Sequence, residues 1–327
     1  MVYDLVIIGG GPSGINCGIA AQQAGLNYII LEKGKLVNSL YNFPANMTFF
    51  STSKKLEIGN IPFISHVDKP TRKEALEYYR RLVTTYDLPI KYYEAVTAMS
   101  ALETDEGYII STTKGVYRSF AVVVATGYYD TPRLLNIPGE TLPKVTHYYD
   151  DPHPYVGQKV LVIGAANSAC DVALETYYKG AEVTMAIRGA GIYEKVKYWI
   201  KPNIENRIKE GAIRAYFHTT VQEIRPQTVV LQTPEGEQII ENDFVLAMTG
   251  YQPNYDFMRR LGIEIPDDEK RIPAYNNENL ETNLPRVYLA GVVCAGMQTS
   301  KLFIENTRDH GQIIIADIRD KLSVGVG

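Results

Sequence analysis

Apolar and polar positions follow two alternating regimes along the chain, and their order predicts the architecture. Val2 to Ile8 is apolar and β-branched apart from Asp4 and of strand length, the pattern of a buried strand. Small and apolar residues at helical spacing then run from about Ile15 to Ala24, and Asn27 to Leu31 predicts a second strand ending in Glu32. An irregular aromatic stretch, Tyr41 to Phe50, precedes a helix predicted over Thr71 to Thr85 and charged on one face. A meander of alternating segments closes at Val122-Val123-Val124-Ala125-Thr126-Gly127. The pattern then restarts. Lys159 to Ile163 predicts a strand, Gly164 to Ala169 a turn, Cys170 to Lys179 a helix, and Glu182 to Ile187 a strand ending in Arg188. The second round closes at Phe244 to Gly250, echoing the first Ala-Thr-Gly end, and a last strand, Val287 to Ala290, leads through Gly291 into a helix expected to open near Thr299.

The repeat is one of whole domains, not of short solenoid units. The fold class expected is α/β, with two Rossmann-like dinucleotide-binding domains of three layers (ββα/βα). The second is expected to be inserted in the first: residues 1–127 plus 251–327 for FAD, and residues 128–250 for NADPH.

The chemistry lies in the two turns. Gly9, Gly11 and Gly14 form a G-x-G-x-x-G between a strand and a helix, with an acid at the end of the next strand. The glycines allow a tight turn, backbone approach to a pyrophosphate and close helix–strand contact; Glu32 suits ribose hydroxyls. The helix that starts there offers unpaired N–H groups and the positive end of its dipole to phosphate. In the second turn Ala166 and Ala169 replace the middle and third glycines, with Asn167 and Ser168 between them, and Arg188 replaces the acid. An acid there repels a 2′-phosphate; an arginine binds it through its fork of donors, with Lys195 and Lys197 near enough to help. This reading favours NADPH over NADH. An acid-ended site and an arginine-ended site in one chain point to a flavin and its reductant.

Composition narrows the classes without naming one. The chain has 327 residues, 45% of them hydrophobic and 21% charged, and a net charge of -4, a balance that gives no electrostatic reason to expect nucleic acid or a membrane surface as partner. No apolar run approaches a spanning length, and the start of the chain carries no secretion leader, so a cytoplasmic location is expected. The three cysteines, Cys17, Cys170 and Cys294, make no C-x-x-C pair, which excludes a disulfide framework and a cysteine zinc site; no metal is expected.

With these motifs placed, the sequence resembles the flavin reductases of the low-molecular-weight thioredoxin reductase type. More closely it resembles the bacillithiol disulfide reductase family, in Tyr41-Asn-Phe-Pro, Phe49-Phe-Ser-Thr-Ser, Leu56-Glu-Ile-Gly-Asn-Ile-Pro-Phe, Gly164-Ala-Ala-Asn-Ser-Ala and Phe303-Ile-Glu-Asn-Thr-Arg-Asp-His-Gly. The resemblance implies an NADPH:FAD reductase, a homodimer or homotetramer, acting on low-molecular-weight disulfides. It implies FAD contacts from Gly9, Gly11, Pro12, Ser13, Gly14, Glu32, Lys33, Asn42, Thr126, Gly127 and Gly291, with Thr299, Ser300 and Lys301 opening the last helix toward the flavin. NADPH is implied on Gly164, Asn167, Ser168, Ala169 and Arg188.

Three departures bear on chemistry. Where the thioredoxin reductases carry a C-x-x-C, this chain reads His147-Tyr-Tyr-Asp-Asp-Pro-His-Pro. Val292 stands where many flavoproteins place an Asp after the glycine of the final strand. Ser13 stands where many bacillithiol reductases have cysteine.

The candidate catalytic residues are therefore Ser13 and Cys294. Ser13 binds the cofactor but cannot form a mixed disulfide; Cys294 is either a redox thiol near the flavin ring or core. Cys17 and Cys170 read as packing, His147 and His153 as proton donors or plain loop residues, and His310 as structural or at a subunit contact. Asp171 reads as a nicotinamide neighbour or a surface residue. Two acceptor classes stay open, a small disulfide and a small redox protein such as ferredoxin or flavodoxin. Against the second, the chain lacks the Gly-Gly-Gln loop and His-Arg-Arg run of thioredoxin-reductase-like ferredoxin reductases. A flavin monooxygenase is a third reading, weakened because this chain lacks that group's F-x-G-x-x-x-H, and a non-enzymatic NADPH sensor is the reading from another class.

Overall fold

The computed structural model describes residues 2–102 and 107–324; the expected domain ends at residues 1 and 325–327, and residues 103–106, lie outside it. The chain divides into two compact units: Met1–Asn42, Met47–Thr131 and Tyr251–Gly327 form one, and Phe43–Asn46 with Pro132–Gly250 the other. Residues 128–131 stay with the first unit because Tyr128 Oη donates to the Thr299 carbonyl, Tyr129 Oη to the Asn42 carbonyl, and Asp130 pairs with Lys33.

The first unit opens with β1 (Val2–Ile8), α1 (Pro12–Gln23) and β2 (Tyr28–Leu31), followed by α2 (Asn38–Tyr41) and α3 (Arg72–Tyr86). Then come β3 (Ile90–Lys91), β4 (Val96–Ala101), β5 (Tyr108–Thr112) and β6 (Val116–Val124). β1 lies between β2 and β6, parallel to both, and Leu5, Val6 and Ile7 are wholly buried, as their unbroken apolar run requires. β6 is long enough for two jobs. Its first half pairs antiparallel with β5, and Val122–Val124 pairs in parallel with the last strand of the chain, Val287–Leu289. α1 begins three residues before the expected Ile15, because Pro12 has the fixed φ suited to a first helical position. Its small residues let it lie close to the sheet; a Cβ on Gly18 would sit 2.7 Å from Ile30 Cδ1. α3 starts one residue after Thr71, whose hydroxyl caps Glu74 N–H while the Glu74 carboxylate accepts from Thr71 N–H.

The second unit contains β7 (Val145–Thr146), β8 (Lys159–Ile163), α4 (Asn167–Tyr178), β9 (Glu182–Ala186), α5 (Lys201–Lys209) and β10 (Arg214–Tyr216). An antiparallel sheet of β11 (Thr220–Ile224), β12 (Thr228–Thr233) and β13 (Gly236–Glu241) precedes β14 (Phe244–Ala247). The parallel sheet has the order β10-β9-β8-β14-β7. β8 occupies the expected residues. α4 starts at Asn167, not Cys170: Ala166 is extended at φ -92°, ψ -174° and serves as N-cap without a side-chain bond, so nothing in its sequence marks the start.

The chain returns to the first unit through α6 (Tyr255–Arg260) and β15 (Val287–Leu289), and ends in α7 (His310–Val324). The last helix does not open at Thr299. Asn306 prevents it: its side chain accepts from Phe303 N–H and donates to the Lys301 carbonyl, holding Phe303 extended at φ -136°, ψ 175°. Thr299, Ser300 and Lys301 lie in a turn ahead of that tie.

Candidate functional site

The β1–α1 turn is built so that backbone, not side chain, faces its open side. Gly9 has φ +115°, and a Cβ there would lie 2.6 Å from the Ala125 carbonyl oxygen. A Cβ on Gly14 would lie 1.8 Å from the Gly9 carbonyl oxygen, so only glycine lets α1 close onto the strand end. Gly11 differs. At φ -79° it tolerates any side chain, and a Cβ there would meet nothing within 4 Å. The space beyond Gly11 is left for a ligand. α1 has no side-chain cap and no acid in its first turn, so its leading N–H groups keep the positive end of the helix unneutralised.

Glu32 closes the acid-ended side. It is 5% exposed, and its two carboxylate oxygens accept from Gly10 N–H and Gly34 N–H, each at 2.7 Å. Burial raises its pKa, and the two amide donors pull it back down. Lys33 pairs with Asp130 at 2.7 Å.

Gly127 and Gly291 bring two further strand ends to the same place. Both have positive φ, +65° and +84°, and a Cβ on Gly291 would fall 2.1 Å from Ser13 Oγ. Thr126 Oγ1 is buried and has no hydrogen-bond partner among the described residues. An orphaned hydroxyl, an open glycine tip and an uncapped helix start together fit a dinucleotide phosphate and ring edge. Of the expected flavin residues, Gly9 to Gly14, Glu32, Thr126, Gly127 and Gly291 cluster here. Asn42 and Thr299 are joined to it through Tyr129 and Tyr128, whose hydroxyls reach their carbonyls. Ser300 and Lys301 are exposed in the turn described above. Sequence reading missed Tyr128, whose phenol burial pushes up; His310, expected to be structural or at a subunit contact, accepts the Gly291 N–H on Nδ1 at 3.1 Å.

The three thiols are placed against redox chemistry. Cys17, Cys170 and Cys294 are at most 1% exposed, and burial pushes each up to about 12, so none is a thiolate at neutral pH. Cys294 lies in the core with Val6, Val124 and Leu289.

In the second unit Gly164 has φ +130°, and a Cβ there would lie 2.7 Å from Met248 O and 3.2 Å from Ala169 Cβ. Ala169 therefore takes the third glycine's place without clashing only because Gly164 is bare. The start of α4 is uncapped and carries no acid. Residues 189–199 fold over it: Tyr193 N–H donates to Ala165 O, Lys197 N–H to Asn167 Oδ1 at 2.8 Å, and Lys197 Nζ to Asp171 at 2.8 Å. Asp171 is thereby engaged with Lys197, and Ser168 is exposed. Arg188 is exposed beside this turn and forms no ion pair among the described residues. His147 lies 3.1 Å from Glu140, and His153 opens a short 3-10 turn.

Two phosphate-ready turns in one α/β chain define the class, and the chain belongs to the pyridine nucleotide-disulphide oxidoreductase family, whose sequence profile it matches over residues 6–291. It is an oxidoreductase that works with FAD and a nicotinamide nucleotide. More particularly, it is 43% identical over 314 residues to bacilliredoxin reductase Bdr of Bacillus subtilis (strain 168), covering 96% of this chain and 96% of that protein. The solved bacillithiol disulfide reductase Bdr (YpdA) from Staphylococcus aureus matches with a TM-score of 0.95 at 40% identity, over 98% of this chain and 99% of that one. Thioredoxin reductase of T. acidophilum, at 20% identity and a TM-score of 0.75 over 98% of this chain and 99% of that one, shares the fold. The resemblance read from the sequence thus holds along nearly the whole chain.

Proposed function

We propose that the protein is an NADPH-dependent flavin reductase for a low-molecular-weight disulfide of the bacillithiol type. The overall reaction is NADPH + H⁺ + RSSR → NADP⁺ + 2 RSH. The observation that carries the coenzyme assignment is Arg188, exposed and without an ion-pair partner among the described residues, beside the uncapped start of α4. The disulfide class rests on the likeness to the two Bdr proteins.

FAD would be held by Gly9, Gly11, Pro12, Ser13, Gly14, Glu32, Thr126, Gly127 and Gly291, and NADPH by Gly164, Asn167, Ser168, Ala169 and Arg188. Bound FAD supplies a two-electron carrier between nicotinamide and acceptor. The chain's own part is to bind phosphates with helix-start amides, to seat Ser13 against Gly291, and to keep its thiols out of the reaction. Ser13 carries a hydroxyl that does not ionise near neutral pH, so electrons leave without a protein mixed disulfide.

The buried thiols also favour a second reading, a small redox protein as acceptor, which needs no protein thiol. Ferredoxin–NADP reductase 2 of Oceanobacillus iheyensis is 26% identical over 304 residues, 90% of this chain and 86% of that protein. Steady-state turnover with NADPH against bacillithiol disulfide, ferredoxin and flavodoxin separates the two. Turnover with the disulfide alone supports the first reading, and turnover with a redox protein alone replaces it. The functional protein is proposed to be a homodimer or homotetramer, which light scattering after size exclusion checks; a monomer at working concentration overturns that.

A further inference from the structure

We infer that His310 is a positioning residue for the flavin site: by accepting the Gly291 N–H on Nδ1 it holds the Gly291 turn against Ser13 at the start of α1. The inference rests on the assignment of the β1–α1 turn to FAD. Three chain segments meet there. β15 ends at Leu289 and, one residue on, enters a 3-10 turn at Gly291 with φ +84°, a region that L side chains seldom adopt. A Cβ on Gly291 would lie 2.1 Å from Ser13 Oγ, so the turn abuts the first turn of α1. α7 packs along α1. A Cβ on Gly311 would be 3.0 Å from the Asn16 carbonyl, and the Asn16 side chain donates to the Arg308 carbonyl.

The Gly291 N–H begins a 3-10 turn and so has no partner within it. Its partner is the imidazole nineteen positions along, at 3.1 Å. That bond ties the end of β15 to the start of α7, and the two meet α1 at Ser13 and at Asn16 respectively. A nitrogen accepts only when it carries no proton, so the bond exists with the neutral imidazole protonated on Nε2. Burial lowers the His310 pKa, with nearby Asp309 acting the other way. Nearest along the packed elements are Cys17 on α1 and Cys294 on the 3-10 turn, thiols pushed up to about 12, and exposed Arg308 two positions before it; Asp317, Arg319, Asp320 and Lys321 lie seven or more positions further along α7, where Asp317 and Lys321 bond with Tyr288 of β15. Protonating Nδ1 would set two donors face to face and release the Gly291 turn, and with it the seat of Ser13.

The test is the dissociation constant for FAD, from fluorescence, between about pH 5 and 8, for the native protein, His310→Asn and His310→Phe. Thermal unfolding of each apoprotein runs alongside. The asparagine amide oxygen can stand where Nδ1 does, and it does not titrate. His310→Phe leaves a buried N–H unpaired and is expected to weaken FAD about 10- to 100-fold at neutral pH. The native protein is expected to lose FAD as pH falls, and His310→Asn to bind as the native protein does at neutral pH without that loss. Native affinity in His310→Phe, or an acid limb kept by His310→Asn, overturns the inference while leaving the flavin site standing. Should His310→Phe fail to fold, the asparagine profile decides. A native protein that binds no FAD at any pH overturns the inference together with the site assignment.

Discussion

Removing the Arg188 side chain separates coenzyme recognition from folding more cleanly than any other change at the second site. The side chain is exposed and forms no ion pair among the described residues, so its truncation should alter stability by no more than about 0.5 kcal/mol. Against a 2′-phosphate the same guanidinium would make charge-assisted bonds of about 1.5–3 kcal/mol. Exposure to solvent and screening by salt place the expected effect at the lower end of that range. Arg188→Ala is therefore expected to weaken NADP⁺ about 10-fold. NAD⁺ lacks the phosphate and should bind as before. Calorimetric titration of both oxidised nucleotides, with thermal unfolding of each protein, measures all three quantities. Equal losses for both nucleotides, or no loss for NADP⁺, would refute the assignment of Arg188. Equal use of NADPH and NADH by the native protein would do so as well.

At the first site, Gly11→Ala should leave apoprotein stability unchanged and weaken FAD, since its Cβ meets nothing within 4 Å; Gly14→Ala, whose Cβ would lie 1.8 Å from Gly9 O, should destabilise the fold itself. Flavin titration and thermal unfolding distinguish these, and undiminished FAD binding by Gly11→Ala contradicts the reading. Hydrogen bonds from the Thr71 backbone and hydroxyl, Ser65 and His66 hold Glu74 down to about 2, so its contribution is present above the ordinary value near 4.5 and lost as pH falls toward 2. Glu74→Ala should cost about 1–2 kcal/mol at neutral pH and flatten that acid limb, by denaturation at several pH values; an unchanged limb refutes it. Alkylation of the native protein should label none of the three cysteines, and rapid labelling of Cys294 by mass spectrometry would contradict its burial.

Much of this was legible where one residue type decides one geometry. The apolar end of the first strand, Leu5 to Ile8, is buried as its residues require, the helix expected over Thr71 to Thr85 starts within one residue of Thr71, and Gly9 and Gly14 marked a turn where a side chain cannot fit. Element starts without such a mark were missed. α4 begins beside Ala166, which has no capping side chain, and α7 is delayed to His310 by Asn306, whose bonds run to Lys301 and Phe303. Long-range partners were not readable either. No local pattern announces that His310 accepts from Gly291, or that Tyr128 and Tyr129 reach Thr299 and Asn42.

The central claim is that electrons pass from NADPH through FAD to a small disulfide without a protein thiol. Anaerobic stopped-flow tests it directly. Flavin-loaded protein is reduced with NADPH, then mixed with bacillithiol disulfide, ferredoxin or flavodoxin, and quenched for mass spectrometry. NADPH should bleach the visible flavin band, and the disulfide should restore it slowly with no adduct on any cysteine. Ser13→Cys should alter only that second phase. Restoration by a redox protein but never by the disulfide, or a mixed disulfide on Cys17 or Cys294, would contradict the account.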